Sequence, residues 1–434
     1  MIHRRTFFRG LMALGAWPLT KVSGHAASLT ASANAESAQN WPQNNDPNYW
    51  RWIRQQFLIP PDEAYFNTGT LGSCPRQVMN AMTNHLVELE KTKAHFEYRA
   101  GRPYYLAGYE SEIELRKKAG SIINAHEREI ALLQNATMGI SLIANGLDLK
   151  AGDEVLLTDQ EHDSGKGGWD LRAKRQGIIA RKLPIPIPTP NPETVIKTFA
   201  DAITPRTRVI AIPHITSRYG VVLPIKQICA MARQRGIFTF IDGAQAVGQL
   251  QVDMKDIGCD AYATSPHKWL LAPAGNGLLY VRADRGKDVW ATLACKQWDN
   301  QEDVGLRMMQ YGTGNLSLLI GFDAALDFHL RIGNERIAKR DMELANRLRS
   351  GLQKIKGVSI LSPTHPALAC AIVTYKLEGV TGPRLQDELW NRKKIRVRAQ
   401  GEEGVRQSTH LYNSPEEIDT TLEIVNALTR KQAV

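Results

Sequence analysis

Gly236-Ile237-Phe238-Thr239-Phe240-Ile241-Asp242-Gly243-Ala244-Gln245 is the stretch whose reading decides the fold. Ile237 to Ile241 carries no charge and is built of β-branched and aromatic residues. That pattern predicts a short strand buried on both faces, as in a parallel sheet. The strand ends in an acid and a glycine turn. Downstream, the apolar-flanked stretch 257–262 leads into Thr264-Ser265-Pro266-His267-Lys268-Trp269, a small-residue loop carrying a lysine.

The same rhythm extends outward in both directions. Apolar strands are predicted over 129–133, 154–157, 178–183 and 207–212, alternating with helices over 138–147, 192–202 and 225–234. Such alternation argues for an α/β chain with a mostly parallel, doubly wound sheet covered on both faces. Further helices are predicted over 49–57, 75–93 and 109–123. Beyond Gly314 the pattern changes: helices over 318–331 and 335–355 precede a smaller α+β segment. The expected division is a signal peptide over 1–26, a linker over 27–47, an N-terminal segment and large domain over 48–316, and a small C-terminal domain over 317–434. No internal repeat is present.

Ligands of open α/β sheets gather at the carboxyl ends of the strands. Asn135-Ala136-Thr137, Glu161-His162, His214 to Ser217, Asp242 to Gln245 and Ser265 to Lys268 all fall at such ends. A strand ending in Asp beside one ending in a lysine loop suits pyridoxal 5′-phosphate (PLP). Lys268 forms a Schiff base with its aldehyde, and Asp242 holds a proton on its ring nitrogen. His162 can stack on the ring and Gln245 can donate to the ring oxygen. Ala136 and Thr137 begin a helix whose free N–H groups attract phosphate, and Ser265 and His267 can reach the same group. Arg406 is a candidate clamp for a substrate carboxylate, since guanidinium binds carboxylate bidentately. Each has a plainer reading. Asp242 can cap a helix near Ala244, Thr137 can cap its own helix, and Lys268 and Arg406 can be surface cations. The set at successive strand ends is what favours chemistry.

Composition narrows the class further. The chain has 434 residues, 43% hydrophobic and 23% charged, as expected of a globular protein. His3-Arg4-Arg5-Thr6-Phe7-Phe8-Arg9, a modest apolar run over 10–19 and Gly24-His25-Ala26 read as a cleaved twin-arginine export signal, not an anchor. The expected location is therefore the periplasm or beyond, reached through the twin-arginine machinery, with no stable membrane anchor. Net charge is +10. Without basic blocks or interleaved aromatics it does not argue for nucleic acid. Cys74, Cys229, Cys259, Cys295 and Cys370 are odd in number and widely spaced, forming neither a metal site nor a disulfide framework.

Taken together, Asn135-Ala136-Thr137, Glu161-His162, Asp242 to Gln245, Pro266 to Trp269, Gly312-Thr313-Gly314-Asn315 and the run from Arg406 to Asp419 resemble the class V aminotransferase family of fold-type I PLP enzymes. The resemblance implies the fold-type I architecture and the roles just given for Lys268, Asp242, His162, Gln245, Ala136, Thr137, Ser265, His267 and Arg406. It also implies a homodimer with active sites at the interface, in which Thr313 reaches the phosphate of the neighbouring subunit. Desulfurases of the family carry a nucleophilic cysteine before the C-terminal arginine; here 396–404 has none. His214-Ile215-Thr216-Ser217-Arg218-Tyr219-Gly220 looks more like the isopenicillin N epimerase branch. The chain is also similar to exported PLP enzymes that tailor pyoverdine-type siderophores. The expectation is an exported PLP-dependent enzyme acting at Cα of an amino acid or of an amino-acid moiety of a secreted metabolite: an epimerase, aminotransferase or decarboxylase. The alternatives are a C–S or C–N lyase of the same family and a PLP-fold binding protein without catalysis.

Overall fold

The computed structural model describes residues 41–93 and 111–430. The segment expected to be an export signal and most of the expected linker lie outside them. A two-stranded pair joins β1 (Ala64–Tyr65) to β11 (Ile395–Arg396) in parallel, tying the start of the folded chain to its C-terminal part. The large sheet contains β2 (Ile130–Leu133), β3 (Glu154–Thr158), β4 (Ile179–Leu183), β5 (Thr207–Pro213), β6 (Phe238–Asp242), β7 (Ala261–Thr264) and β8 (Gly277–Val281), in the order β2-β8-β7-β6-β5-β3-β4. All pairings from β7 through β4 are parallel; β8 runs antiparallel to both its neighbours. Every residue of β2, β3, β6, β7 and β8 is buried. That is why these strands read as unbroken apolar runs rather than alternating ones.

The small domain is an antiparallel sheet of β9 (Val358–Ile360), β10 (Ile372–Leu377), β12 (Arg398–Ala399) and β13 (Val405–Ser408), in the order β12-β13-β10-β9. Helices Asn334–Leu352, Gly382–Lys393 and Pro415–Arg430 pack with it. Leu344, Leu348, Val373, Tyr375, Leu385 and Val425 form its core. Helix Leu316–Ile332 bridges the two bodies. Its Leu319 and Phe322 belong to the large core, while Phe328 and Ile332 join a third cluster with Tyr49, Ile53, Phe57, Leu271 and Tyr412. The last residues of the expected linker are anchored there too: Trp41 donates to the Tyr49 hydroxyl and meets the Trp52 and Phe328 rings.

The observed helix ends follow the capping chemistry. The helix expected over 138–147 is Ala136–Gly146, because the Asn135 side chain accepts from the Met138 N–H. Thr137 is thus not its cap. The helix expected over 109–123 is described from Ile113 to Ile122, and 109–110 fall outside the described residues. No helix begins at Ala244; Asp242 closes a tight turn there instead, its Oδ1 accepting from the Ala244 N–H at 2.9 Å.

Candidate functional site

A cavity of about 330 Å³ opens at the carboxyl ends of the parallel strands. It lies at the small end of the ~300–1,000 Å³ range of small-molecule sites. Ala136, Thr137, His162, Asp242, Gln245, Ser265, His267, Lys268 and Arg406 all line it. The fold therefore brings together every residue expected at the site from the sequence except Thr313. Thr313 is exposed and lies outside the cavity of its own chain.

Lys268 follows β7, in a turn that starts with its N–H donating to the Ser265 carbonyl. Burial pushes its amine down to about 8, while Asp242 pulls the other way and Arg406 and Arg398 add to the fall. A lysine so placed has an accessible neutral, nucleophilic form. Asp242, only 8% exposed, ends β6 with Oδ1 spent on the turn, leaving Oδ2 for the cavity. Gln245 donates to the Gly69 carbonyl at 2.8 Å and accepts from the Trp269 indole at 2.9 Å. Its second amide hydrogen remains for a ligand.

His162 caps helix Asp163–Gln176, its Nδ1 accepting from the Ser164 N–H at 3.2 Å. The proton therefore sits on Nε2. Burial against the cavity wall and the Lys268 charge hold the imidazole below its usual range, hence neutral. His267 donates from Nδ1 to the Asn276 carbonyl at 3.1 Å, and burial lowers it as well. Its Nε2 donates only when the ring takes up a proton, which a bound dianion favours.

One expectation needs correction in detail. The Ala136 N–H is not open to a ligand: it donates to Ser265 Oγ at 3.0 Å. Among the described residues no partner takes the Thr137 N–H or hydroxyl at that helix start. The Ser265 hydroxyl hydrogen is free to turn toward an anion there.

Arg406 sits on β13, 2% exposed. It donates to the Ser217 carbonyl at 2.7 Å, the Thr70 hydroxyl at 2.8 Å and Asn67 Oδ1 at 3.3 Å, and its buried Nε has no partner among the described residues. Burial and the charge of Arg398 push it down to about 9. A cation so strained is relieved by an anion.

The sequence reading missed Arg398 and gave Glu161 a place at a strand end but no role. Arg398 lines the cavity and donates to the same Thr70 hydroxyl at 3.1 Å, so one oxygen bridges two guanidiniums. Glu161 accepts from the Thr158 N–H and hydroxyl at 3.1 and 2.8 Å, and burial, aided by the Asp242 charge, pushes its carboxyl up to about 8. A carboxyl raised that far favours its protonated form at neutral pH.

These groups fit PLP on this chain's own geometry. A helix start with an unused N–H and two hydroxyls suits a phosphate. A lowered lysine amine suits an aldehyde. A free carboxylate oxygen would suit a protonated ring nitrogen, and a neutral imidazole would suit a flat ring. Among the described residues no His, Cys, Asp and Glu cluster could hold a metal ion.

Such a site on such a sheet defines a fold-type I PLP-dependent enzyme. The chain matches the aminotransferase class-V family profile over residues 66–421 and belongs to that family. It is 31% identical to isopenicillin N epimerase of Amycolatopsis lactamdurans over 402 residues, 88% of this chain and 99% of that protein. The isopenicillin N epimerase of Streptomyces clavuligerus is likewise 31% identical, over 88% and 98% of the two chains. A probable cysteine desulfurase of Xylella fastidiosa (strain 9a5c) is 34% identical over 61% of this chain and 64% of that one. Among solved structures, a lysine-to-alanine mutant of C-DES with glycine covalently linked to PLP superposes with a TM-score of 0.76. It is 25% identical over 86% of this chain and 98% of the other.

Proposed function

We propose that this chain is an exported PLP-dependent enzyme acting at Cα of an amino acid or of an amino-acid moiety of a secreted metabolite. The observation that carries the reading is the lowered Lys268 amine in a cavity that also holds Asp242 and the buried, under-partnered Arg406. PLP, when bound, supplies an aldehyde for amines and a ring that accepts the electrons released at Cα. The chain's residues do the rest. Arg406 receives the substrate carboxylate and orients Cα. The Lys268 amine would be the base that takes or returns the Cα proton. Asp242 keeps the ring nitrogen protonated, and Glu161, itself neutral, adds no competing charge. His162 covers the ring face and excludes water.

Two observations support a reaction other than persulfide transfer. Among the described residues no cysteine lines the cavity, and the segment that brings Gln400 to its wall carries Glu403, which accepts from Arg218 and Tyr219 at 2.8 and 2.9 Å. Cys74 and Cys370 are both pushed up to about 11 by burial, away from a reactive thiolate. Extended similarity to isopenicillin N epimerases favours a reaction that regenerates the cofactor without a second substrate. The export signal and the resemblance to pyoverdine-tailoring enzymes favour a siderophore-type peptide. A second reading, C–S or C–N cleavage, is supported by the fold shared with the cystine C–S lyase C-DES.

The test incubates the mature protein with amino acids and siderophore peptides in D₂O. Deuterium at Cα with inversion is the expected outcome. Keto acid with sulfide or ammonia would replace it by the lyase reading, and no exchange with any substrate would leave only a binding protein. Separately, Arg4→Lys with Arg5→Lys is expected to keep folded, PLP-loaded protein in the cytosol. Undiminished export would refute the localisation.

A further inference from the structure

We infer that His410 is a positioning residue for Lys268, capping the carbonyl of Trp269 and thereby holding the turn that carries the lysine. The inference rests on the reading of Lys268 above. His410 follows β13 in the small domain, whereas Trp269 belongs to the large one. The His410 Nε2 lies 3.2 Å from the Trp269 carbonyl oxygen, and Nδ1 lies 2.8 Å from Asp341 Oδ2 on helix Asn334–Leu352. His410 and Asp341 are both 0% exposed.

The Trp269 carbonyl needs this donor. It is packed against Gly248, where a Cβ would sit 2.4 Å from the carbonyl carbon and 2.5 Å from its oxygen. Among the described residues no backbone N–H reaches it. A buried carbonyl left unpaired is destabilising, so the side-chain donor specifies the turn. The carbonyl on the other side of the lysine, that of His267, accepts from the Gly72 N–H at 2.8 Å. Lys268 is thus fixed from both sides, by the N-terminal segment and by the small domain. The turn ends at Leu271, a buried non-glycine residue at φ +58, a conformation that persists only when its surroundings enforce it.

Proton accounting sets the state of the pair. A carbonyl oxygen only accepts, so Nε2 must carry hydrogen. Asp341 then bonds to Nδ1 only if one further proton is shared between carboxyl and imidazole. Burial raises the Asp341 carboxyl, which favours keeping that proton, and the unpartnered Asp341 Oδ1 is better tolerated on a pair without net charge. The groups facing the pair do not compete for it. His329, buried with neither nitrogen partnered among the described residues, is pushed down to about 3 by burial and by His410. Tyr412 stacks edge-on with its hydroxyl on Thr68, Trp269 packs edge-on from the other side, and Arg340 donates to the Asn413 carbonyl.

The test separates the two nitrogens. In His410→Gln the amide N–H replaces Nε2, retaining the bond to Trp269. In His410→Asn it replaces Nδ1, retaining only Asp341. His410→Phe keeps volume and no donor. Each full-length apoprotein is checked for its melting transition, then mixed with PLP while the visible band of lysine-bound cofactor is followed. Amide hydrogen exchange at Leu271 and Ala272 is measured on the same apoproteins. The Gln variant is expected to capture PLP within a few-fold of wild type, and Asn and Phe about tenfold or more slower, as for a misplaced reacting group. Exchange at the turn should rise in Asn and Phe only. Equal behaviour of Gln and Asn, or wild-type capture and exchange in folded Phe, would overturn the proposal. If Asn and Phe do not fold while Gln does, the exchange and capture rates of Gln decide: a Gln variant as impaired as a simple cavity mutant overturns it. A wild-type protein without the visible band would instead overturn the Lys268 reading itself, and this inference with it.

Discussion

Lys268 works under tension between solvation and reactivity. In the apoprotein its charged form is penalised, because its amine falls from 10.5 to about 8 on folding. A lowered lysine value means the unfolded chain binds more protons between those limits. Stability of the apoprotein therefore rises as pH climbs from about 8 toward 10.5. Lys268→Met removes the penalty while keeping volume. At pH 7 the apo variant is expected to melt no lower than wild type, with an advantage of up to about 3 kcal/mol that shrinks as pH rises above about 8 and is gone only above the unfolded value of 10.5. A variant clearly less stable at pH 7 would show that the amine is well solvated. At this scale the sequence was informative where position in the sheet dictated the role. Lys268 and Asp242 end neighbouring strands, so their meeting followed from the strand pattern alone. Arg398 was not legible, and Glu161 and His410 stand in recognised segments without a readable role. Their parts depend on which carbonyls and charges the tertiary fold sets beside them, and a single side chain carries no trace of that.

At the scale of elements, the turn bearing Lys268 is gripped by the segment 67–72. Gly72 is required there: a Cβ would sit 2.0 Å from the Lys268 carbonyl oxygen, a backbone atom that cannot rotate away. Gly72→Ala is expected to cost about 1–3 kcal/mol by overpacking and to weaken PLP retention by displacing the lysine. A variant that melts and retains PLP like wild type would contradict that grip. The strands themselves were legible because both faces are buried and the apolar runs are unbroken. The antiparallel β8 was not anticipated. Gly277-Leu278-Leu279-Tyr280-Val281 reads like any buried strand, and direction is set by the connection, not by composition. The start of helix Ala136–Gly146 shifted for a local reason. Asn135 caps it, and Ser265 from another strand end takes the Ala136 N–H.

Across the whole molecule, the site is assembled from both domains: Lys268 and Asp242 from the large sheet, Arg406 and Arg398 from the small one. Relative movement of the two would change the distance between carboxylate clamp and base. Thr313, exposed and away from its own cavity, is free to serve a second copy of the chain. If it does, Thr313→Ala weakens PLP retention in the homodimer. Mixed dimers of Thr313→Ala with Lys268→Ala chains then regain one intact site. Undiminished retention in Thr313→Ala, or mixed dimers with no visible band, would contradict a site shared between subunits.

The most direct test of the central claim is to reduce the purified mature protein with borohydride and weigh its peptides. The account predicts that PLP becomes fixed to the peptide containing Lys268, and that Lys268→Ala, still folded, takes up no covalent label. Label on any other lysine, or an unchanged visible band and label in Lys268→Ala, would contradict it.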